Sequence, residues 1–300
     1  MRDFFKNLYR NTWLGKVLLW PYIYFRDHLL PEKTLAKRTF KRRLGYSLNL
    51  DSPKTFNEKM MWLKLNDRTP LHTQCADKFR VREYVAEKLG EEYLIPMVFQ
   101  SYDAKDLRPE NFPDHPFIIK TNHDSSGGVI VRDKSKINWE ELQQDFAKKL
   151  KTNYFYGSGE WQYKNIRPCI VAENLLKGED GGVPPDYKLF CFHGKVKYIQ
   201  LDLDRDTVHK RNMYDTEWNL LDFKYLYENG RQLKKPQKLD EMIRLAEIVA
   251  QDFVFVRVDF YNIGDKVYFG EITFHPESGM GKFVPDKWDA ELGKLLTLPL

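Results

Sequence analysis

Two short segments near the C-terminal end constrain this chain most. Arg257-Val258-Asp259-Phe260-Tyr261 and Tyr268-Phe269-Gly270-Glu271-Ile272-Thr273 each read as a strand, and Asn262-Ile263-Gly264-Asp265 reads as the turn between them. Alternation places Arg257, Asp259 and Tyr261 on one face of the first strand, and Glu271 and Thr273 share a face of the second. A hairpin can therefore bring Asp259 beside Glu271, with Arg257 close. Two facing carboxylates repel unless a cation lies between them, and Mg²⁺ takes such oxygens together with substrate phosphates. The competing reading is a surface hairpin whose acids are salt-bridged to the arginine.

The chain has ample material for a core. Seven Trp, 17 Tyr and 20 Phe among 300 residues exclude a disordered chain. Cys75, Cys169 and Cys191 are odd in number and widely spaced. They form no disulfide framework and no zinc-ligand pair, which suits a reducing compartment. No signal peptide and no bilayer-length apolar run is present, so a cytoplasmic location is expected. The net charge of +5 is uneven: residues 1–45 hold eleven Lys/Arg against three acids, so they carry +8 and the remainder −3. The same segment is rich in Trp, Tyr and Phe. It is read either as a helix packed on the domain or as a peripheral contact with an anionic membrane at its inner face. Nucleic acid is not expected, since no binding fold follows the basic run.

Along the chain, Thr55 and Glu58 have capping-box spacing at the head of a helix. A second helix is expected over 76–89, ending at Gly90. Residues 93–96 read as a short strand. Residues 116–121 read as a buried strand that leads through the loop 123–128 to a return strand at 129–131. Asn138 caps a helix over 139–150. Residues 169–172 form a strand leading into Glu173. A hairpin over 186–202 turns at His193-Gly194, a helix covers 238–253, and a last helix covers 287–296. Residues 177–185 read as a mobile linker. The class is α+β, antiparallel hairpins with covering helices.

Several of these elements carry chemistry. Ser125, Ser126, Gly127 and Gly128 follow a strand and expose backbone N–H groups suited to phosphate. Lys120, at that strand's end, neutralises a phosphate as a point charge. Glu173 accepts from an adenine amine or a ribose, with the backbone around Leu175 beside it. Lys188 follows Asp186-Tyr187 on a strand aimed at the same region. Asp202 and Asp204 form a rival Asp-x-Asp pair, of the kind that holds the metal of a nucleotide-sugar glycosyltransferase. A third reading, without enzymatic activity, is a membrane-docked scaffold on a dead nucleotide fold; intact Lys120, Asp259 and Glu271 speak against it.

Taken in order, these motifs resemble the ATP-grasp superfamily, and within it the TupA-like branch named for teichuronopeptide synthesis and found in surface-polysaccharide gene clusters. The matching stretches are Ser52-Pro53-Lys54-Thr55-Phe56-Asn57-Glu58-Lys59, Asp77-Lys78, Phe117-Ile118-Ile119-Lys120, Asp186-Tyr187-Lys188-Leu189-Phe190 with Gly194-Lys195, Val256 to Tyr261, and Phe269 to Thr273. They span about 45–285. The resemblance implies ATP held between a small α+β lid and a larger antiparallel sheet. It divides the chain into a basic segment 1–45, a helical part 46–115, a lid 116–176 and a metal-binding part 177–300. It assigns Lys78 and Lys120 to phosphates or base edge, the loop 125–128 to covering them, and Glu173 with Leu175 to the adenine–ribose end. Asp259 and Glu271, with Thr273, become Mg²⁺ ligands, and Arg257 and Lys188 catalytic residues. Thr273 stands where many relatives carry Asn, and His275 is a further candidate there. The implied activity is ATP-dependent carboxylate–amine ligation through an acyl phosphate, joining an amine or amino acid to a uronic acid of a surface polysaccharide, capsule or O-antigen precursor.

Overall fold

The structure, a computed structural model, describes residues 17, 21, 30–125, 127–178, 181–204 and 207–299. Ser126 and most of residues 1–29 therefore lie outside the described residues, as do residues 179–180 of the expected linker. The rest forms eight α-helices and three antiparallel sheets.

Helix α1, Glu32–Leu44, belongs to the basic segment. It turns Ala36 and Phe40 inward against Leu48, Leu50, Met61 and Met280. Lys33, Lys37, Arg38, Lys41, Arg42 and Arg43 stay exposed. It stops at Gly45, whose left-handed φ of 86° is open to glycine. Helix α2, Phe56–Asn66, carries the expected capping box: the Glu58 N–H donates to Thr55 Oγ1 and the Thr55 N–H to Glu58 Oε2.

Of the helix expected over 76–89 only α4 (Val81–Leu89) forms, and a separate helix, α3 (Pro70–Ala76), precedes it. The Asp77 side chain accepts from the N–H groups of Phe79 and Arg80, a local bond that competes with the helix ladder. Lys78 thus sits in a turn. The strand expected over 93–96 does not form: Tyr93 ends a tight 3₁₀ turn, Glu91–Tyr93, and Leu94 makes a single bridge to Phe269. Strand β1, Met97–Ser101, begins only after Pro96, which has no N–H for a ladder.

The four-stranded sheet runs β1-β4-β2-β3, with β2 Phe117–Thr121, β3 Val129–Val131 and β4 Ile170–Asn174. Glu173 therefore lies within its strand rather than after it. Phe117, Ile119, Ile170 and Ala172 pack on Leu142 and Phe146 of α5, Trp139–Leu150, which Asn138 caps as expected. A short helix α6, Tyr154–Ser158, follows. The alternation leaves Lys120 and Glu173 on the opposite face.

The five-stranded sheet runs β10-β9-β5-β6-β7. Its strands are β5 Asp186–Phe192, β6 Lys195–Leu203, β7 Lys210–Tyr214, β9 Phe255–Ile263 and β10 Lys266–Thr273. A small pair, β8 Lys224–Tyr225 with β11 Phe283–Val284, flanks it. On one face Leu189, Cys191, Val256, Val258 and Phe260 meet Leu239, Met242, Leu245 and Ala246 of helix α7. That helix is Leu239–Val249, shorter than the 238–253 expected because Ala250–Asp252 tightens into a 3₁₀ turn. On the other face Phe190, Phe192 and Phe255 pack under Phe56 and Met60 of α2 and Leu292 of helix α8, Lys287–Lys294. Further along the same strands that face becomes charged, through Asp186, Lys188, Arg257 and Asp259.

The β9–β10 hairpin is not regular. Tyr268 pairs with Tyr261 and Phe269 with Phe260, but Glu271, not Gly270, pairs with Asp259. Gly270 is the extra residue of a bulge. A Cβ there would come within 3.1 Å of the Asp259 carbonyl oxygen, which is why glycine fits. Without the bulge Glu271 would oppose Val258 and face α7.

Candidate active site

The charged end of the large sheet gathers five predicted residues. Arg257 Nε and Nη2 donate to the two oxygens of Asp259 at 2.7 and 2.8 Å. The same Nη2 reaches Glu271 Oε1 and Thr273 Oγ1, each at 3.0 Å. Lys188, from the neighbouring strand, donates to Asp259 Oδ2 at 2.7 Å and also to Asp186. Asp259 is 1% exposed and Lys188 5%. Their burial is tolerable only because each is paired and hydrogen-bonded. The cation between Asp259 and Glu271 is thus the Arg257 guanidinium.

Electrostatics differ between the two acids. Burial pushes the Asp259 carboxyl above its usual range, with Arg257 and Lys188 opposing. Burial also favours neutral Glu271, yet Arg257, then Lys188, Lys78 and Lys120, hold its carboxyl down to about 2. Its side chain is 45% exposed, so one side of the pair is open to solvent. Burial works most strongly against the Lys188 ammonium, but Asp259, Asp186 and Glu271 together outweigh it and hold its pKa above lysine's ordinary value.

The smaller sheet contributes a second group. Lys120 Nζ donates to Glu173 Oε2 at 2.7 Å, and Arg82 Nη1 to Glu173 Oε1 at 3.1 Å. Arg82, on α4, carried no signal in the sequence. Lys78 donates to the carbonyl of Asp124 and lies 3.8 Å from its carboxylate. Ser125 Oγ donates to the Tyr154 hydroxyl at 2.6 Å. Gly127 has φ 72°, a left-handed turn that favours glycine, and a Cβ on Gly128 would strike Ile118 and Ile119. Leu175 follows β4, its N–H bonded to the Pro116 carbonyl. Lys78 is shifted down, by burial first, while Glu271 and Asp124 oppose that shift. Lys78, from the turn between α3 and α4, and Lys120, from the smaller sheet, thus both bear on Glu271.

In the rival pair, Asp202 is bound to an arginine. Asp202 accepts from Arg211 on both oxygens, at 2.6 and 3.3 Å, and Asp204 lies exposed past the strand end with φ 51°. His275 is buried and 3.3 Å from Gln162 Nε2, a packing position. Among the described residues no group of three or more His, Cys, Asp or Glu side chains is arranged to hold a metal. Nor is any described helix long and apolar enough to cross a membrane.

A family described as TupA-like ATPgrasp matches residues 58–297. No curated protein matches. Among solved structures, a D-alanine–D-alanine ligase from Bacillus anthracis shares 16% identity at a TM-score of 0.39, over 67% of this chain and 57% of that one. The corresponding enzyme from Helicobacter pylori shares 18% at 0.41, over 82% and 70%. An L-amino acid ligase from Bacillus licheniformis shares 15% at 0.42, over 81% and 55%. This chain thus spans a little over half the length of the first of these proteins.

Proposed function

The chain belongs to the TupA-like ATP-grasp family, and on that premise we propose that it is an ATP- and Mg²⁺-dependent ligase joining a carboxylate to an amine. The observation that carries this reading is the convergence of Asp259, Glu271 and Thr273 on Arg257 at the charged end of the large sheet. A carboxylate pair open to solvent on one side, with Lys78 and Lys120 bearing on it, suits a triphosphate with its metal. In this reading the lid is 116–176, the helical part 46–115 and the metal-binding part 177–300.

The donor set fits Mg²⁺, which favours one or two carboxylates plus nucleotide oxygens over a full protein cage. Asp259 and Glu271 would hold it, with the Thr273 hydroxyl beside them, and when bound it would neutralise charge on the phosphates. Arg257 and Lys188 oppose the effect of burial on Asp259. Arg257, oriented by both acids, would stabilise the transferring phosphoryl group. Lys78 and Lys120 would draw in the phosphates, and residues 125–128 would close over them. Glu173 and Leu175 would sit at the adenine–ribose end.

The γ-phosphoryl group passes to the carboxylate oxygen and ADP leaves. The amine then attacks the acyl carbon, the C–O bond to phosphate breaks, and the amine's proton is lost. Closure protects the acyl phosphate from water. We further propose, from the family's association with surface polysaccharides, that the carboxylate is a uronic acid of a glycan precursor and the amine an amino acid. The basic face of α1 suits docking at the inner face of an anionic membrane.

The test supplies ATP, Mg²⁺, D-glucuronate or D-galacturonate, and hydroxylamine. ADP and a hydroxamate are expected. Glu271→Gln should lower the rate by about a hundredfold or more, because metal-borne stabilisation is worth several kcal/mol. Turnover near wild type in folded Glu271→Gln, or UDP release from a UDP-sugar without ADP release from ATP, would overturn the reading.

A further inference from the structure

Lys78 and Lys120 stand on different segments, and one residue joins them. Asn122 directly follows the strand that carries Lys120 and is 1% exposed. Its carbonyl accepts from the Lys78 backbone N–H at 3.0 Å. Its amide nitrogen donates to Asp77 Oδ1 at 2.8 Å and to the Arg167 carbonyl at 3.0 Å. Its amide oxygen accepts from the Cys169 N–H at 2.7 Å, while its own N–H donates to the Cys169 carbonyl at 3.0 Å. Cys169 adjoins the strand that carries Glu173, the partner of Lys120. Asp77 uses the oxygen that meets Asn122 to hold the Phe79 and Arg80 N–H groups as well.

Lys78 is therefore gripped on both sides. Its own amide is tied to the Asn122 carbonyl, and the carboxylate of the residue before it is tied to the Asn122 side chain. The two ammonium groups repel, and Lys120 makes the charged form of Lys78 harder to keep. Something must hold them at fixed separation. Asn122 has both amide protons and its amide oxygen engaged, so it has little left to offer a ligand. Its chemistry is that of a brace.

We infer that Asn122 is a positioning residue that sets the separation of the Lys78 and Lys120 ammonium groups, and through it the grip on a nucleotide's phosphates. This rests on the nucleotide reading above. Calorimetric titration with Mg²⁺ and AMPPNP tests it on wild type, Asn122→Ala, Lys78→Ala and the double variant. Each single change should weaken binding by about tenfold, the scale of losing buried hydrogen bonds or a phosphate cation. If Asn122 acts through Lys78, the double variant should bind within about twofold of Lys78→Ala alone. Wild-type affinity in folded Asn122→Ala, or a double variant that loses the product of both effects, would overturn the inference while leaving nucleotide binding intact. Failure of wild type to bind AMPPNP would remove the nucleotide reading itself. Should Asn122→Ala not fold, Asn122→Asp keeps the shape but sets a carboxylate against Asp77. Adding Asp77→Asn should then recover affinity, and a brace of purely structural effect would raise the melting temperature without that recovery.

Discussion

Lys188→Met removes the ammonium that bridges Asp186 and Asp259. Arg257 and Lys188 face three acids there, Asp186, Asp259 and Glu271, so the local balance moves from −1 to −2. Lys188 is 5% exposed and Asp259 1%, so water replaces little of the lost charge. Removing one partner of a buried pair costs about 3–5 kcal/mol when the other charge is stranded. Asp259 keeps both bonds to Arg257, so about 2–3 kcal/mol is expected here. The loss should depend on pH. Burial already raises the Asp259 carboxyl above its unfolded value, and removing Lys188 raises it further. An acid whose folded value is raised destabilises the fold where it is ionised. The deficit is therefore full above the raised value and fades as pH falls through it towards the unfolded value. Urea unfolding at pH 7 and pH 4 measures both effects. In an Asp259→Asn background, Lys188→Met should cost at least 1 kcal/mol less, on the usual scale of coupled neighbours. A full-cost loss in that background, or a deficit that grows towards acid pH, would refute the argument.

Lys120→Ala should weaken Mg²⁺–AMPPNP binding by about tenfold in calorimetry, as loss of a phosphate cation, and Lys120→Arg should restore only part, since a planar fork replaces a compact ammonium. Thr55→Ala removes the capping box of α2 and should lower unfolding free energy by about 1 kcal/mol with nucleotide affinity unchanged. The full chain should co-sediment with anionic vesicles at low salt and be released at high salt. Protein that stays in the supernatant at low salt would leave the basic face of α1 as a solvated surface only.

The local features of this chain were legible in its sequence. Thr55 and Glu58 declared a capping box, Asn138 a cap, and the charged residues of β9 a shared face. Turns set by a side chain were harder. The apolar spacing around 76–89 suits a helix, and nothing local shows that Asp77 bonds its own backbone and breaks it. Lys188 reaches Asp259 only because β5 lies beside β9, a pairing between distant segments that no local pattern encodes. Arg82 was invisible for the same reason. The bulge did leave a trace: the residues packed on the α7 side are Val267 and Phe269, then Ile272 and Phe274, a slip from odd to even positions at Gly270.

That slip makes β10 two strands out of phase, joined at one residue. The half next to the turn is numbered by the needs of the core, and the half beyond it by the needs of the acids. Lengthening the turn at Gly264-Asp265 leaves this offset untouched. Losing the single residue Gly270 removes it without turning any side chain over: Phe269 stays opposite Phe260, Glu271 stays opposite Asp259, and the ladder between them becomes regular. A regular pairing that keeps Gly270 in the ladder forces a choice instead. If Val267 and Phe269 stay inward, Glu271 and Thr273 turn towards α7; if the acids keep their face, the two apolar residues turn away from it. The carboxylate pair thus depends on one residue being left out of the count, through arithmetic rather than chemistry.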